Sequence, residues 1–252
     1  MILSTEHKFI FFSNGKTGTT SIERALSKYD ESEDYRFASK GLFNKIHIPP
    51  VLVKAMVPET LWKECFKFTF VRNPYDWFVS QWFYNFAARP EASDSALKQL
   101  EQRTRIVSKR ISNWKRVRRY EPSLRPSTDL ARRECFSRND ILFLYDFLRA
   151  KDRTLPIYEG KYQVSYIWDA DRRTIVDFIG RFERLTSDFN LAMERIGLNV
   201  SLPETNRTDH RYYQTYFNED AAQYVYDLWR LDFDALNYPR DLPSIKIHAR
   251  GQ

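Results

Sequence analysis

Apolar positions near the start of the chain fall in a short, nearly continuous run, residues 7–13 (HKFIFFS), as in a strand buried on both faces of a parallel sheet. It stops at Asn14-Gly15, a loop signal, and residues 20–29 then set Ile22 and Leu26 on one face of a helix. Phe66, Phe68 and Phe70 alternate with Lys67 and Thr69, which predicts a second strand over Phe66–Val71. Asn73-Pro74 ends it, and residues 75–87 read as an aromatic-rich helix with Pro74 near its first turn. Residues 91–140 are polar and basic and read as a helical insertion. Further on, the pattern predicts a hairpin around residues 168–174 and a short strand over 175–178. Helices are expected over 186–197, with Thr186 or Ser187 as N-cap and Gly197 as stop, and over 219–231. Repeated strand–loop–helix units predict an α/β fold, a P-loop-like parallel sheet flanked by helices. The length of 252 residues suits a single domain spanning 1–252 with the basic insertion inside it.

Composition narrows the class of protein. Aromatic residues make up 16% of the chain against only 7 glycines, enough burial to offset ordering entropy. Lys and Arg number 40 against 33 Asp and Glu, and the surplus of +7 points to an anionic ligand without choosing among nucleotide, acidic glycan, nucleic acid and lipid headgroup. Cys65 and Cys135 stand in unrelated contexts and build neither a disulfide framework nor a zinc cluster, so a reducing compartment is expected. The longest apolar run, Phe9–Phe12, is far too short to span a bilayer. The opening MILSTEHKFIFF has neither a basic n-region nor a small-residue cleavage site, and the expectation is a cytoplasmic protein without a membrane span.

The first chemical constellation is Asn14-Gly15-Lys16-Thr17-Gly18-Thr19-Thr20-Ser21, between a buried strand and a helix. Such a loop offers successive backbone N–H groups and a positive helix end to an anion. Gly15 and Gly18 permit unusual φ values and close approach, Thr19, Thr20 and Ser21 add hydroxyls, and Lys16 adds a point charge. An ATPase-type Walker loop is disfavoured: Ile10 stands where its first glycine belongs, and Lys16 precedes most of the loop donors. The second constellation is Arg72-Asn73-Pro74-Tyr75-Asp76-Trp77-Phe78-Val79-Ser80. Arg72 at a strand's C-terminal end offers a planar fork of donors that suits a phosphate, and Ser80 lies on the helix that follows. Arg72 pairing with Asp76 across the turn, with Ser80 as a packing residue, is the plainer alternative.

These residues resemble the sulfotransferases that use 3′-phosphoadenosine-5′-phosphosulfate (PAPS), especially their carbohydrate branch. Lys16-Thr17-Gly18-Thr19-Thr20 is similar to the family's first signature, and Arg72 to Ser80 to its Arg-Asn-Pro-x-Asp-x-x-x-Ser signature. A weaker third match is Asp177-Phe178-Ile179-Gly180-Arg181-Phe182-Glu183-Arg184-Leu185. The resemblance implies PAPS as co-substrate, with no metal. The loop from Gly15 to Ser21 would hold the 5′-phosphosulfate, and Arg72 with Ser80 the 3′-phosphate. Sulfuryl transfer also needs charge stabilisation at the leaving oxygen, for which Lys16 is placed, and a base outside the loop. Of His7, His47, His210 and His248, the resemblance favours His47, in Lys45-Ile46-His47-Ile48-Pro49-Pro50, with Glu23 and Glu64 as fallback carboxylates.

Arg103 to Arg119 is dense in Arg and Lys around Trp114, which suits an anionic or sugar ligand and equally a solvated helix face. No helix-turn-helix, RNA-binding or zinc signature accompanies it, so nucleic acid is not the expected partner. Asp169-Ala170-Asp171 reads better as a hairpin turn than as a metal ligand pair. The resemblance implies that the polar stretch 204–213 lies close to cofactor and acceptor, which makes Arg207, His210 and Arg211 further candidates there. The expected activity is sulfuryl transfer from PAPS to an acceptor hydroxyl of a carbohydrate or glycolipid, by in-line displacement. The alternatives are a catalytically silent glycan- or nucleotide-binding module, and a small-molecule or nucleotide kinase on a variant phosphate loop.

Overall fold

The computed structural model describes residues 1–32, 47–87, 135–151, 162–203 and 212–242. Four strands, β1 (Ile2–Ser4), β2 (Phe9–Phe12), β3 (Phe66–Val71) and β4 (Phe178–Arg181), form one sheet in that order. β2, β3 and β4 run parallel, with Phe9 opposite Phe66 and Phe68 opposite Phe178, while β1 is an antiparallel edge. The described helices are α1 (Thr19–Leu26), α2 (Pro50–Met56), α3 (Glu59–Glu64), α4 (Pro74–Trp82), α5 (Arg138–Lys151), α6 (Leu185–Ile196) and α7 (Glu219–Ala235). A π-helical turn, Phe83–Ala87, prolongs α4.

The two-residue period of the strands sends Phe9, Phe11, Phe68 and Phe70 to one face, where they meet Ile22 and Leu26 of α1 and Phe189 and Met193 of α6. Ile10, Phe12 and Val71 point the other way, onto Val53 of α2 and Trp62 of α3. With both faces covered, β2 needs no polar residue, which is why it reads as a continuous apolar run. On that second face β3 carries two polar residues, Thr69, whose hydroxyl donates to the Phe12 carbonyl (2.9 Å), and Lys67. The buried Lys67 ammonium donates to the carbonyls of Cys65 (2.6 Å) and Trp62 (3.2 Å) and pairs with Asp177 (2.7 Å), so the charge is satisfied. Gly180 is dictated by packing: a Cβ there would stand 2.3 Å from the Phe70 ring. A third apolar cluster joins α4, α5 and α7 through Trp77, Phe78, Leu144, Trp229 and Phe233, side chains worth about 1.5–3 kcal/mol each when buried.

Two expectations need correction, and three elements were not expected at all. The strand placed at 175–178 is at Phe178–Arg181, because the hairpin consumes the preceding residues: Trp168 bridges Thr174, and the Ile175 N–H donates to the Ile167 carbonyl (2.8 Å). Only beyond Asp177 does the chain enter the parallel ladder. α6 is preceded by Arg184, with no side-chain cap, instead of being capped by Thr186 or Ser187. Ser187 sits in the first turn and donates to the Arg184 carbonyl (3.0 Å). Gly197 does end that helix in the left-handed region, at φ 70°. Finally, β1, α2 and α3 are elements the pattern did not announce. Most of the basic insertion, residues 88–134, lies outside the described residues. No helix among the described residues is long and apolar enough to cross a membrane.

Candidate functional site

The C-terminal ends of β2 and β3 lie side by side, so the loops that follow them converge. After β2, the Asn14 side chain donates to the Phe70 carbonyl (3.0 Å) and pins the loop to its neighbour strand. Three carbonyls are then held from behind. The Thr17 hydroxyl donates to that of Asn14 (2.8 Å), the Trp77 indole to that of Gly15 (2.9 Å), and an Arg72 Nη1–H to that of Lys16 (3.2 Å). A trans peptide points its N–H opposite its carbonyl. The N–H groups of Gly15, Lys16 and Thr17 therefore aim away from those three donors. Among the described residues, no acceptor is found for any backbone N–H from Gly15 to Thr20. α1 continues this run of donors, since its N-terminus has no side-chain cap.

Backbone conformation in the loop differs in one respect from expectation. Gly18 takes the left-handed region (φ 83°), but the second positive φ belongs to Lys16 (69°) and not to Gly15. A non-glycine residue there carries strain, which is typical of loops built around a ligand. Gly15 instead provides space for a side chain: a Cβ on it would lie 3.7 Å from Cε1 and 3.8 Å from Nε2 of His47. The Nδ1 of His47 is 2.8 Å from the Ser13 carbonyl, which only accepts, so Nδ1 carries the proton and Nε2 the lone pair in the neutral ring. His47 and the loop are thus brought together. Glu64 pairs with Lys8 (3.2 Å) at the opposite end of the sheet, and Glu23 faces the amino group of Met1 at 4.0 Å. His7 packs edge-on against Tyr29, away from the loop. His210, His248, Arg207, Arg211 and the basic stretch 103–119 lie outside the described residues.

After β3, Asn73 caps α4 by accepting the Tyr75 N–H (3.0 Å), and Pro74 fills the first position. Arg72 is buried and bound by a two-pronged pair to Asp76, Nε and Nη2 each 2.7 Å from a carboxylate oxygen. The plainer reading of Arg72 is therefore present in the structure. It does not exhaust the side chain: among the described residues, partners engage three of the five guanidinium N–H groups, leaving one on each Nη. Ser80 is half-buried, one turn beyond Asp76 on the same side of α4. That side confronts the loop, because Trp77 reaches Gly15 and Tyr84, four residues past Ser80, underlies the Lys16 ammonium at 4.3 Å.

Lys16 has no carboxylate partner among the described residues. Burial, and then the neighbouring Arg72 charge, lower its pKa from the ordinary lysine value. Two cations set close together, one without a counter-charge, are relieved by a bound anion. Thr19 and Ser21 are buried and Thr20 is exposed at the start of α1.

The third segment, residues 177–185, supplies contacts that its sequence pattern did not reveal. The Phe182 ring stacks under the Arg72 guanidinium at 4.0 Å. Glu183 accepts the Asn73 N–H (2.5 Å) and the Tyr238 hydroxyl (3.0 Å), and Leu185 closes over Gly18. Segment 177–185 was itself visible as a pattern; its contacts with the other two were not. Asp169 accepts the N–H groups of Asp171 (3.0 Å) and Arg173 (2.9 Å), a hairpin turn as read from the sequence. No cluster of three metal-ligating side chains exists among the described residues.

The sulfotransferase family model matches residues 1–239, from β1 to the end of α7 and beyond. No curated protein and no solved structure matches the chain.

Proposed function

The chain belongs to the sulfotransferase family, and from that premise we propose that it transfers the sulfuryl group of PAPS to a hydroxyl of a carbohydrate or glycolipid acceptor. The observation that carries this reading is the run of backbone N–H groups from Gly15 to Thr20, all without an acceptor among the described residues, with the His47 ring against Gly15. A polyanion fits this cradle: its charge would offset Lys16 and Arg72 together, and its oxygens would take the N–H groups. PAPS supplies the sulfuryl group and, in its 3′-phosphate, the feature that separates it from ATP-like nucleotides.

Each residue then has a distinct task. The N–H groups of the loop, with the hydroxyls of Thr19, Thr20 and Ser21, hold the 5′ end. Lys16 compensates the negative charge that builds on the leaving oxygen. Arg72, through its two remaining N–H groups, and Ser80 hold the 3′-phosphate. His47 takes the acceptor's proton at Nε2, and its Nδ1–H, bound to the Ser13 carbonyl, keeps the ring in the tautomer that accepts there. Tyr84 is 61% exposed beside Lys16, and such a ring suits the C–H face of a sugar.

The test is transfer of labelled sulfuryl from PAPS to a panel of sugars, glycolipids and simple alcohols, by wild type and His47→Ala. Sulfation of a sugar-bearing acceptor is expected. The variant should lose about 10²- to 10⁴-fold in transfer rate while its affinity for 3′,5′-bisphosphoadenosine stays within about twofold. Full activity in His47→Ala would move the base elsewhere.

A further inference from the structure

Arg72 is fixed from a direction outside both signature segments. Its backbone N–H donates to Oε1 of Gln163 (2.8 Å), and its carbonyl accepts from Nε2 of the same side chain (2.8 Å). One amide thus pairs with both backbone groups of one residue, as a neighbouring strand would. Gln163 is fully buried. It opens the 3₁₀ turn Gln163–Tyr166, and that turn is itself anchored: the Gln163 N–H donates to one carboxylate oxygen of Asp232 (2.9 Å) and the Val164 N–H to the other (3.0 Å). Asp232 is likewise fully buried, on α7. The Tyr162 hydroxyl ties the same turn to the Leu228 carbonyl (3.1 Å).

Burying an amide and a carboxylate at this place is a costly way to fill space. An apolar side chain of equal volume would do so without the desolvation penalty. What the polar chain adds is direction: it sets the height and tilt of the Arg72 backbone, from which the guanidinium reaches both Asp76 and the Lys16 carbonyl. We propose that Gln163, held by Asp232, is a positioning residue that aims the Arg72 guanidinium at the 3′-phosphate and so sets the preference for 3′-phosphorylated nucleotides. The proposal rests on the reading that Arg72 contacts that phosphate.

The experiment compares binding of 3′,5′-bisphosphoadenosine with that of adenosine 5′-monophosphate, by calorimetry, in wild type, Gln163→Met and Arg72→Met. The ratio of the two affinities isolates the 3′-phosphate from general damage to the fold. Gln163→Met should cut the bisphosphate affinity about tenfold and leave the monophosphate affinity within about twofold, as expected when a charged hydrogen bond is misaimed. Equal losses for both ligands, or no loss for either, overturn the positioning role. If Arg72→Met collapses the ratio and Gln163→Met does not, the relay alone is wrong. If Arg72→Met leaves the ratio intact, the 3′-phosphate assignment falls and the relay with it. Asp232→Asn, which keeps the volume and one acceptor, replaces Gln163→Met should the latter fail to fold, with a smaller fall in the same ratio expected and an unchanged ratio overturning the proposal.

Discussion

His47 and Asp232 show how differently a single polar side chain can be used in one molecule. The His47 ring is oriented by an acceptor-only carbonyl and lies against a glycine, so its chemistry faces the loop. Asp232 lies in the interior, where burial pushes its carboxyl up to about 7 against the opposing pull of the Gln163 and Val164 N–H groups. Between its ordinary value of 3.8 and about 7, the folded chain retains a proton there that the unfolded chain has released. Its contribution to stability therefore declines as pH rises through this window, and is steady below and above it. Asp232→Asn carries no such titration. The melting temperature of wild type relative to that variant should fall between about pH 4 and pH 7; a difference that stays constant across that span would refute the buried proton. Of these two residues, His47 was singled out in the sequence by the resemblance of its segment, Lys45 to Pro50, to one of the family. Asp232 was not, because an Asp in an amphipathic helix pattern shows its burial only when the partner turn is in place.

At the scale of elements, two glycines of one loop have separate tasks. Gly18 must turn left-handed at the start of α1 and stays under Leu185, whose Cδ2 would be 2.7 Å from an added Cβ. Gly18→Ala should lower the melting temperature by at least about 2–4 °C, the equivalent of roughly 1 kcal/mol of backbone strain in a chain of this size. Gly15→Ala meets nothing closer than the His47 ring at 3.7 Å. It should fold with an unchanged melting temperature but slow transfer, because the methyl group stands between the imidazole and the loop. Thermal denaturation and rates of both variants check this, and equal destabilisation would show that the two positions are not distinguished. β2, β3 and the loop–helix junctions were readable because a continuous apolar run, an apolar–polar alternation and Asn-Gly or Asn-Pro breaks are local signals. β4 was misplaced by three residues because its start depends on a hairpin that consumes Thr174 and Ile175, a competition decided by pairing with Lys67 and Phe68.

Across the whole molecule, the sheet brings β2 and β3 side by side, and the two signatures, 56 residues apart at Lys16 and Arg72, become one site through a 3.2 Å hydrogen bond. Segment 177–185 completes it through Phe182 and Leu185, and α7 supports it from behind through Asp232. The sequence marked out the two segments that meet at this site and the fold class that carries them. It did not announce the long-range ties, since Gln163 carries no pattern of its own and the pattern around Glu183 names no partner. The central claim is that this assembled loop is built for a 3′,5′-bisphosphorylated adenosine. A thermal-shift comparison of 3′,5′-bisphosphoadenosine with ADP, the latter with and without magnesium, tests it directly. Stabilisation by the bisphosphate well above that by ADP is the predicted result. Equal or greater stabilisation by ADP with magnesium would contradict the account.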